Sequence, residues 1–185
     1  MNVLVIPEDF RKDQYMLKPI IDAMMKARGK EARVRICVDP LLGGIDQALK
    51  RERIKEIIEW YRGMVDLFLL CVDRDGIKTR RKKLDLIEKT ALSLLGGGQA
   101  FFAENAWQEI EVWVLAGHKL PVAWRWEEVR SDLHPKEKYF LPFAKNRKLL
   151  DTPGEGRKIL AREAAKNYGR IRQLCQEISG LEERI

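Results

Sequence analysis

The sequence predicts an α/β protein, with a mostly parallel four-stranded sheet between helices and a mainly helical C-terminal extension. Three observations carry this. Four short apolar runs, at 2–6, 33–38, 65–72 and 99–103, are separated by segments of helical periodicity. The first and third runs, NVLVI and VDLFLLCV, are apolar enough for strands covered on both faces. The joining segments are long enough for crossover helices, so right-handed β-α-β units follow.

In chain order, the first strand ends at Pro7. A helix over 14–28 follows, with Met16, Leu17, Ile20, Ile21, Met24 and Met25 on one face, Pro19 in its first turns and Gly29 as its stop. The second strand, RVRICV, alternates only in part, and Asp39-Pro40 with Gly43-Gly44 marks a loop. Asp46 is placed to cap a helix over 47–61 whose apolar face is Ile54, Ile57, Ile58 and Tyr61. The third strand, the most apolar, belongs in the centre of the sheet. It ends in Asp73-Arg74-Asp75-Gly76, and a basic helix over 79–94 follows, closed by Gly96, Gly97 and Gly98. After the fourth strand, a helix over 105–117 is expected, with Asn105 as cap, Ala106, Ile110, Trp113 and Val114 facing inward, and Gly117 as stop. Residues 1–118 thus form the α/β core. Residues 119–185 form the extension packed on it, proline-punctuated as far as Pro153 and helical over 157–178.

The length of 185 residues suits one substantial core. No apolar run reaches a membrane span, and the first ten residues lack a basic segment followed by a long apolar one, so a cytoplasmic location is expected, with no membrane partner. Cys37, Cys71 and Cys175 are odd in number and far apart, and read as small buried hydrophobes. With two histidines and no CxxC, a structural zinc site is disfavoured. The net charge of +7 permits a polyanionic partner.

The chemistry concentrates at strand ends. Ligands of open α/β sheets sit beyond the carboxyl ends of the strands. Glu8 follows the first strand, and Asp73 and Asp75 follow the third. If these strands are neighbours, three carboxylates meet at one edge, where they repel and lose solvation unless a cation compensates. Hard oxygen donors of this kind suit Mg²⁺ or Mn²⁺. Gly76 supplies the turn that lets both aspartates face one site. Glu104, after the fourth strand, and Glu109, near the next helix start, are candidates to complete the shell or hold a second ion, although acids at a helix start are also ordinary.

The IPE at 6–8, the VDRDG run at 72–76 and the basic helix behind it resemble the Toprim fold of topoisomerases, bacterial primases, recombination proteins and overcoming-lysogenization-defect nucleases. The resemblance covers residues 1 to about 118. It implies a glutamate after the first strand, here Glu8, as general acid/base or metal ligand, and a DxD pair, here Asp73 and Asp75, holding Mg²⁺. The segments AENAWQEIEVWVLAG (103–117) and PGEGRKILAREAAKNYGRIRQLC (153–175) look like those of small stand-alone prokaryotic Toprim-like proteins of unknown function, some linked to nucleic-acid processing or to defence against mobile elements. The transesterifying tyrosine domain of topoisomerases and the zinc-binding domain of primases have no counterpart here, so the resemblance points to a small nuclease.

Around the acids, Arg74, Lys78, Arg80 and Arg81 on one side and Arg11 and Lys12 on the other are candidates to hold backbone phosphates. Gly154, Gly156, Arg157 and Lys158 precede a helix and form a second candidate phosphate loop, without P-loop spacing. Trp124 and Trp126 around Arg125 are a candidate stacking platform for bases, whereas Trp107 and Trp113 read as helix packing. The leading expectation is a Mg²⁺-dependent enzyme that processes phosphodiesters of DNA or RNA. The alternatives are a non-catalytic nucleic-acid-binding or regulatory subunit of a defence or repair complex, and a phosphohydrolase or phosphotransferase for small molecules.

Overall fold

A computed structural model of the chain describes residues 1–40 and 42–185; the loop expected between Asp39 and Gly44 includes Leu41, which lies outside them. The sheet consists of β1 (Asn2–Pro7), β2 (Arg33–Ile36), β3 (Leu67–Val72) and β4 (Ala100–Asn105), all parallel, in the order β2-β1-β3-β4. β1 and β3 are therefore adjacent, with Ile6 opposite Leu70 and Pro7 opposite Cys71. This register brings the residues that follow the two strands to the same edge.

Side chains alternate between two cores, as the period of two requires. Val3, Val5, Leu67, Leu69 and Cys71 face one layer, and Leu4, Ile6, Phe68, Leu70 and Val72 face the other. The second layer is built by α3 (Arg51–Tyr61), through Ile54, Ile57 and Ile58, and by α4 (Arg80–Leu92), through Leu84, Ile87 and Ala91. The first layer is built by α1 (Phe10–Ala27), by α5 (Glu111–Ala116) and by the extension. The extension comprises α6 (Trp126–Ser131), a π-helical turn at Lys136–Phe140 running into α7 (Leu141–Asn146), then α8 (Arg157–Lys166), α9 (Tyr168–Leu174) and α10 (Gln176–Arg184). Leu160, Ala164, Ile171, Cys175, Ile178 and Leu181 join the same buried cluster as Val3 and Val5, so the extension completes the core.

Several expectations are corrected. α1 begins at Phe10, capped by Asp9, so Pro19 stands mid-helix and withholds the hydrogen bond an ordinary residue would give to the carbonyl of residue 15. The helix expected over 47–61 is two helices, α2 (Ile45–Ala48) and α3, and Asp46 lies inside the first turn of α2 rather than at its cap. Asn105 ends β4 instead of capping a helix; α5 starts at Glu111. Residues 157–184 form three helices rather than one, interrupted at Asn167 and Cys175. Trp124 packs edge-on against Tyr139, with ring centroids 5.2 Å apart, and Trp124 and Trp126 both rest on the core, which removes the expected stacking platform. All three cysteines are buried and free. No helix is long and apolar enough to cross a membrane among the described residues.

Gly117 is needed for space rather than for its backbone angles. A Cβ there would lie 2.5 Å from the Cβ and 2.6 Å from the Cα of Ala164, so the end of α5 and the last turn of α8 touch backbone to backbone. The Asn167 side-chain amide, donating to the Gly117 carbonyl at 2.9 Å, fixes the approach. Gly117→Ala is expected to destabilise the fold by about 2–3 kcal/mol, as overpacking does where a backbone must move. Urea denaturation checks this; a loss below about 0.5 kcal/mol would show that α8 is free to shift.

Candidate functional site

The site lies where β1 and β3 end. Glu8 follows β1, and its Oε2 accepts a hydrogen bond from the backbone amide of Asp73 at 3.2 Å. Asp73 follows β3, and its Oδ1 accepts from the amide of Ile110 at 2.8 Å. The 73–76 turn is built by two successive left-handed residues, Asp75 (φ 53°) and Gly76 (φ 68°), a conformation Asp and Gly adopt at least cost. Gln108 fastens this turn to the segment between β4 and α5. Its carbonyl accepts from the amides of Arg74 and Asp75 at 2.8 and 3.2 Å, and its side-chain oxygen accepts from Gly76 at 2.9 Å.

Two further acids share this edge. Asp13, in the first turn of α1, accepts from the Asp9 amide through Oδ2 at 3.2 Å, and its charge acts on Asp73. Glu111, at the start of α5, repels both Asp13 and Asp73. Burial pushes the Glu8 carboxyl up to about 7; the Asp73 amide opposes this and the charge of Asp75 adds to it. Burial likewise pushes Asp13 up to about 7, with repulsion from Glu111, Glu8 and Asp9. Asp73 is held well above the usual carboxylate range, first by burial and then by Glu8, Glu111 and Asp13. Among the described residues, Glu8, Asp13 and Asp73 have no Lys or Arg ion-paired to them. Glu111 is neutralised by the buried Arg157, and Asp75 by Arg80, whose Nη2 lies 3.3 Å from its Oδ2.

This donor set fits a hard divalent cation in its chemistry: half-buried carboxylate oxygens without an ion-paired base, with the charge of Arg80 acting on Glu8. Among the described residues, no three His, Cys, Asp or Glu side chains form a ready-made cage. Mg²⁺ does not require one, because it is commonly held by one or two carboxylates and keeps several waters. Glu8 and Asp73 would hold it, with Asp75 at the exposed rim.

The other expected ligands have different partners. Glu104 accepts from Arg81 and Arg184 at 3.2 and 3.1 Å and from the Asn105 amide at 3.0 Å. With Glu88, these two arginines close the free edge of β4: the Ala103 amide donates to Glu88, and its carbonyl accepts from Arg81 and Arg184. Such sealing protects an edge strand from unwanted pairing. Glu109 accepts from the Lys136 amide at 2.8 Å and so completes the start of the helical segment there.

The expected phosphate-binding residues also divide. Arg11 pairs with Asp9 at 3.0 Å and Lys12 with Glu155 at 2.9 Å. Arg80 is buried beside Asp75 with its Nε unpartnered. Arg81 serves the β4 edge. Arg74 and Lys78 have no acidic partner among the described residues. At the GEGRK loop, Arg157 is consumed by Glu111 and does not face solvent. Asp13 escapes the sequence because it is a first-turn position of a helix that begins earlier than its periodicity suggests, and Glu111, expected on another side of a helix over 105–117, instead opens α5 among the acids. The Asp9 cap, two residues before Arg11, is the signal that would have begun α1 early enough to turn Asp13 toward this edge.

No protein-family model matches the chain, and neither a curated protein nor a solved structure is significantly similar to it.

Proposed function

We propose that this protein is a Mg²⁺-dependent phosphodiester-processing enzyme, a small nuclease of Toprim-like type acting on DNA or RNA. The observation that supports it is the pair Glu8 and Asp73: adjacent, half-buried and without an ion-paired base among the described residues. When bound, Mg²⁺ would polarise a phosphodiester and stabilise charge on the leaving oxygen. Asp73 is oriented for ligation by the Ile110 amide. Burial pushes the metal-free Glu8 carboxyl up to about 7, and a bound Mg²⁺ would bring it down again, so Glu8 would serve as a metal ligand or take a proton from water. Arg80, buried against the site, adds fixed positive charge, and Arg74 and Lys78 offer phosphate contacts at the rim.

The test is cleavage of end-labelled single- and double-stranded DNA and RNA with Mg²⁺ or Mn²⁺. Wild-type protein is expected to cut, and Glu8→Gln and Asp73→Asn each to lose roughly 100-fold or more, since even outer-shell losses at metal sites cost 10–100-fold. Asp75→Asn is expected to lose less, because Asp75 is exposed and shared with Arg80. Cleavage that persists in all three variants overturns the proposal. Binding without cleavage would favour the alternative, a non-catalytic nucleic-acid-binding or regulatory subunit.

A further inference from the structure

A cavity opens on the flank of the acidic turn. Its volume is about 320 Å³, and its walls include Arg74, Lys78, Asn105, Trp107, Arg130 and Gln176. It joins segments distant in sequence: the turn after β3, the start of α4, the end of β4, α6 and the start of α10. Of the four cations that line it, Arg81 is bonded to Glu104, and Arg130 is held by Glu177 at 2.7 Å. Arg74 and Lys78 have no acidic partner among the described residues. The cavity therefore presents an uncompensated double positive charge at its outer side.

Trp107 gives the cavity its second property. The sequence suggested helix packing for this residue, yet it stands in the loop before α5 and is 40% exposed. The Arg74 guanidinium lies 4.1 Å from the centre of its ring and that of Arg130 5.2 Å. Two guanidinium groups thus lie within cation–π distance of a half-exposed indole in the wall of a basic cavity. Nucleobases stack on both kinds of plane, on indole and on guanidinium. The Gln176 amide in the wall carries both donors and an acceptor, as the edge of a base requires, while the Asn105 amide nitrogen already donates to the Ala106 carbonyl at 3.0 Å. A volume at the low end of small-molecule sites fits one nucleotide rather than two.

We propose that this cavity binds a single nucleotide unit of a nucleic-acid strand, its phosphate on Arg74 and Lys78 and its base against the Trp107–arginine cluster. Because Arg74 sits between Asp73 and Asp75, a strand anchored here continues beside the carboxylates; that continuation, but not the binding itself, rests on the phosphodiester reading. Duplex ends would enter only after a base unstacks, so single strands are the preferred ligand.

The test is fluorescence anisotropy of a labelled single-stranded hexanucleotide, in EDTA so that neither metal nor cleavage contributes. Trp107→Ala is expected to weaken binding about tenfold, in line with the loss of one base–aromatic stack, and Trp107→Phe less than threefold. Lys78→Ala is expected to lower the slope of log affinity against log salt by about one. A nucleoside 5′-monophosphate is expected to displace the strand at a concentration at least tenfold below that of inorganic phosphate. Binding unchanged by Trp107→Ala overturns the proposal. So does equal competition by inorganic phosphate, which would mark a plain anion site. Tighter binding of duplex than of single strand, insensitive to Trp107, also overturns it. Failure of the two proposals is separable. If Mg²⁺ brings no cleavage but Trp107→Ala still weakens binding, the nuclease falls and the cavity stands. Cleavage with a Trp107-independent affinity gives the reverse.

Discussion

Arg157→Met is expected to destabilise the protein by about 3–5 kcal/mol, the range for breaking a buried ion pair from one side. Arg157 is 1% exposed and opens α8, yet its guanidinium reaches across to Glu111 at the start of α5, donating to Oε1 from Nε at 3.0 Å and from Nη2. Its Nη1 serves the Gly154 carbonyl at 3.0 Å and Glu155 at 2.9 Å, and the group lies over the Phe140 ring. Methionine fills much of the same space, so the loss reports charge and hydrogen bonding rather than volume. For a chain of this size, the melting temperature is expected to fall by roughly 10 °C.

The pH dependence identifies the cause. Without Arg157, Glu111 is an unpaired buried carboxylate whose charge adds to the repulsion on Asp13 and Asp73. A raised carboxyl weakens the fold once the unfolded chain ionises, so lowering the pH from 8 to 5 is expected to recover much of the stability. The double variant Glu111→Gln/Arg157→Met is expected to be more stable than Arg157→Met alone at pH 8. Thermal unfolding of the wild type, Glu111→Gln, Arg157→Met and the double variant at both pH values closes the cycle. A loss under 1 kcal/mol in Arg157→Met, or a loss independent of pH, would show that the pair does not tie the extension to the sheet edge.

This pair also shows where the sequence is readable and where it is not. The apolar runs of β1 and β3 and the period-two split of their side chains are local properties, and the four strands stand where the sequence suggests. The adjacency of β1 and β3, on which the site depends, is a topological matter that the sequence could pose only as a condition. Helix starts were the weak point, because a cap competes with neighbouring polar residues for the same role. Moving α1 from residue 14 to Phe10 turns Asp13 toward the acids, and moving the next helix from 105 to 111 places Glu111 among them and frees Trp107 to stand in a loop. Ion-pair partners were illegible for a different reason. Arg81, Glu104 and Arg157 look in sequence like a phosphate contact, a ligand and a loop cation. Residues about 20 to 80 positions away claim them instead, and only the folded chain reveals those distances.

The acidic edge itself makes the second large effect. In the absence of divalent cations, stability is expected to fall as the pH rises from about 4.5 through about 7. The sign follows from the raised carboxyls. Between these limits the unfolded chain has released the protons of Glu8 and Asp13, whereas the folded chain retains them, so the unfolded state binds fewer protons and gains with pH. A glutamate displaced from 4.5 to about 7 weakens the fold by on the order of 3 kcal/mol once fully ionised. Glu8, Asp13 and Asp73 share one field, so their effects do not add, and a total of about 3–5 kcal/mol is expected. His118 acts in the opposite sense near its own titration. Burial lowers its pKa, with the hydrogen bond to the Leu160 carbonyl opposing, so it costs stability as the pH falls below 6.5. The slope should therefore be measured in a His118→Gln background as well. Asp73→Asn removes one of the repelling charges while keeping an oxygen for the Ile110 amide. It is expected to raise stability at pH 8 by about 1–3 kcal/mol and to flatten the slope. Millimolar Mg²⁺ is expected to stabilise the wild type at pH 8 by mass action and to leave Asp73→Asn unchanged. Chemical denaturation across pH 4.5–8.5, with EDTA or with Mg²⁺, measures all of this. Should Asp73→Asn be less stable than wild type at pH 8, or should Mg²⁺ stabilise both alike, Asp73 is not the buried uncompensated charge at the centre of this site.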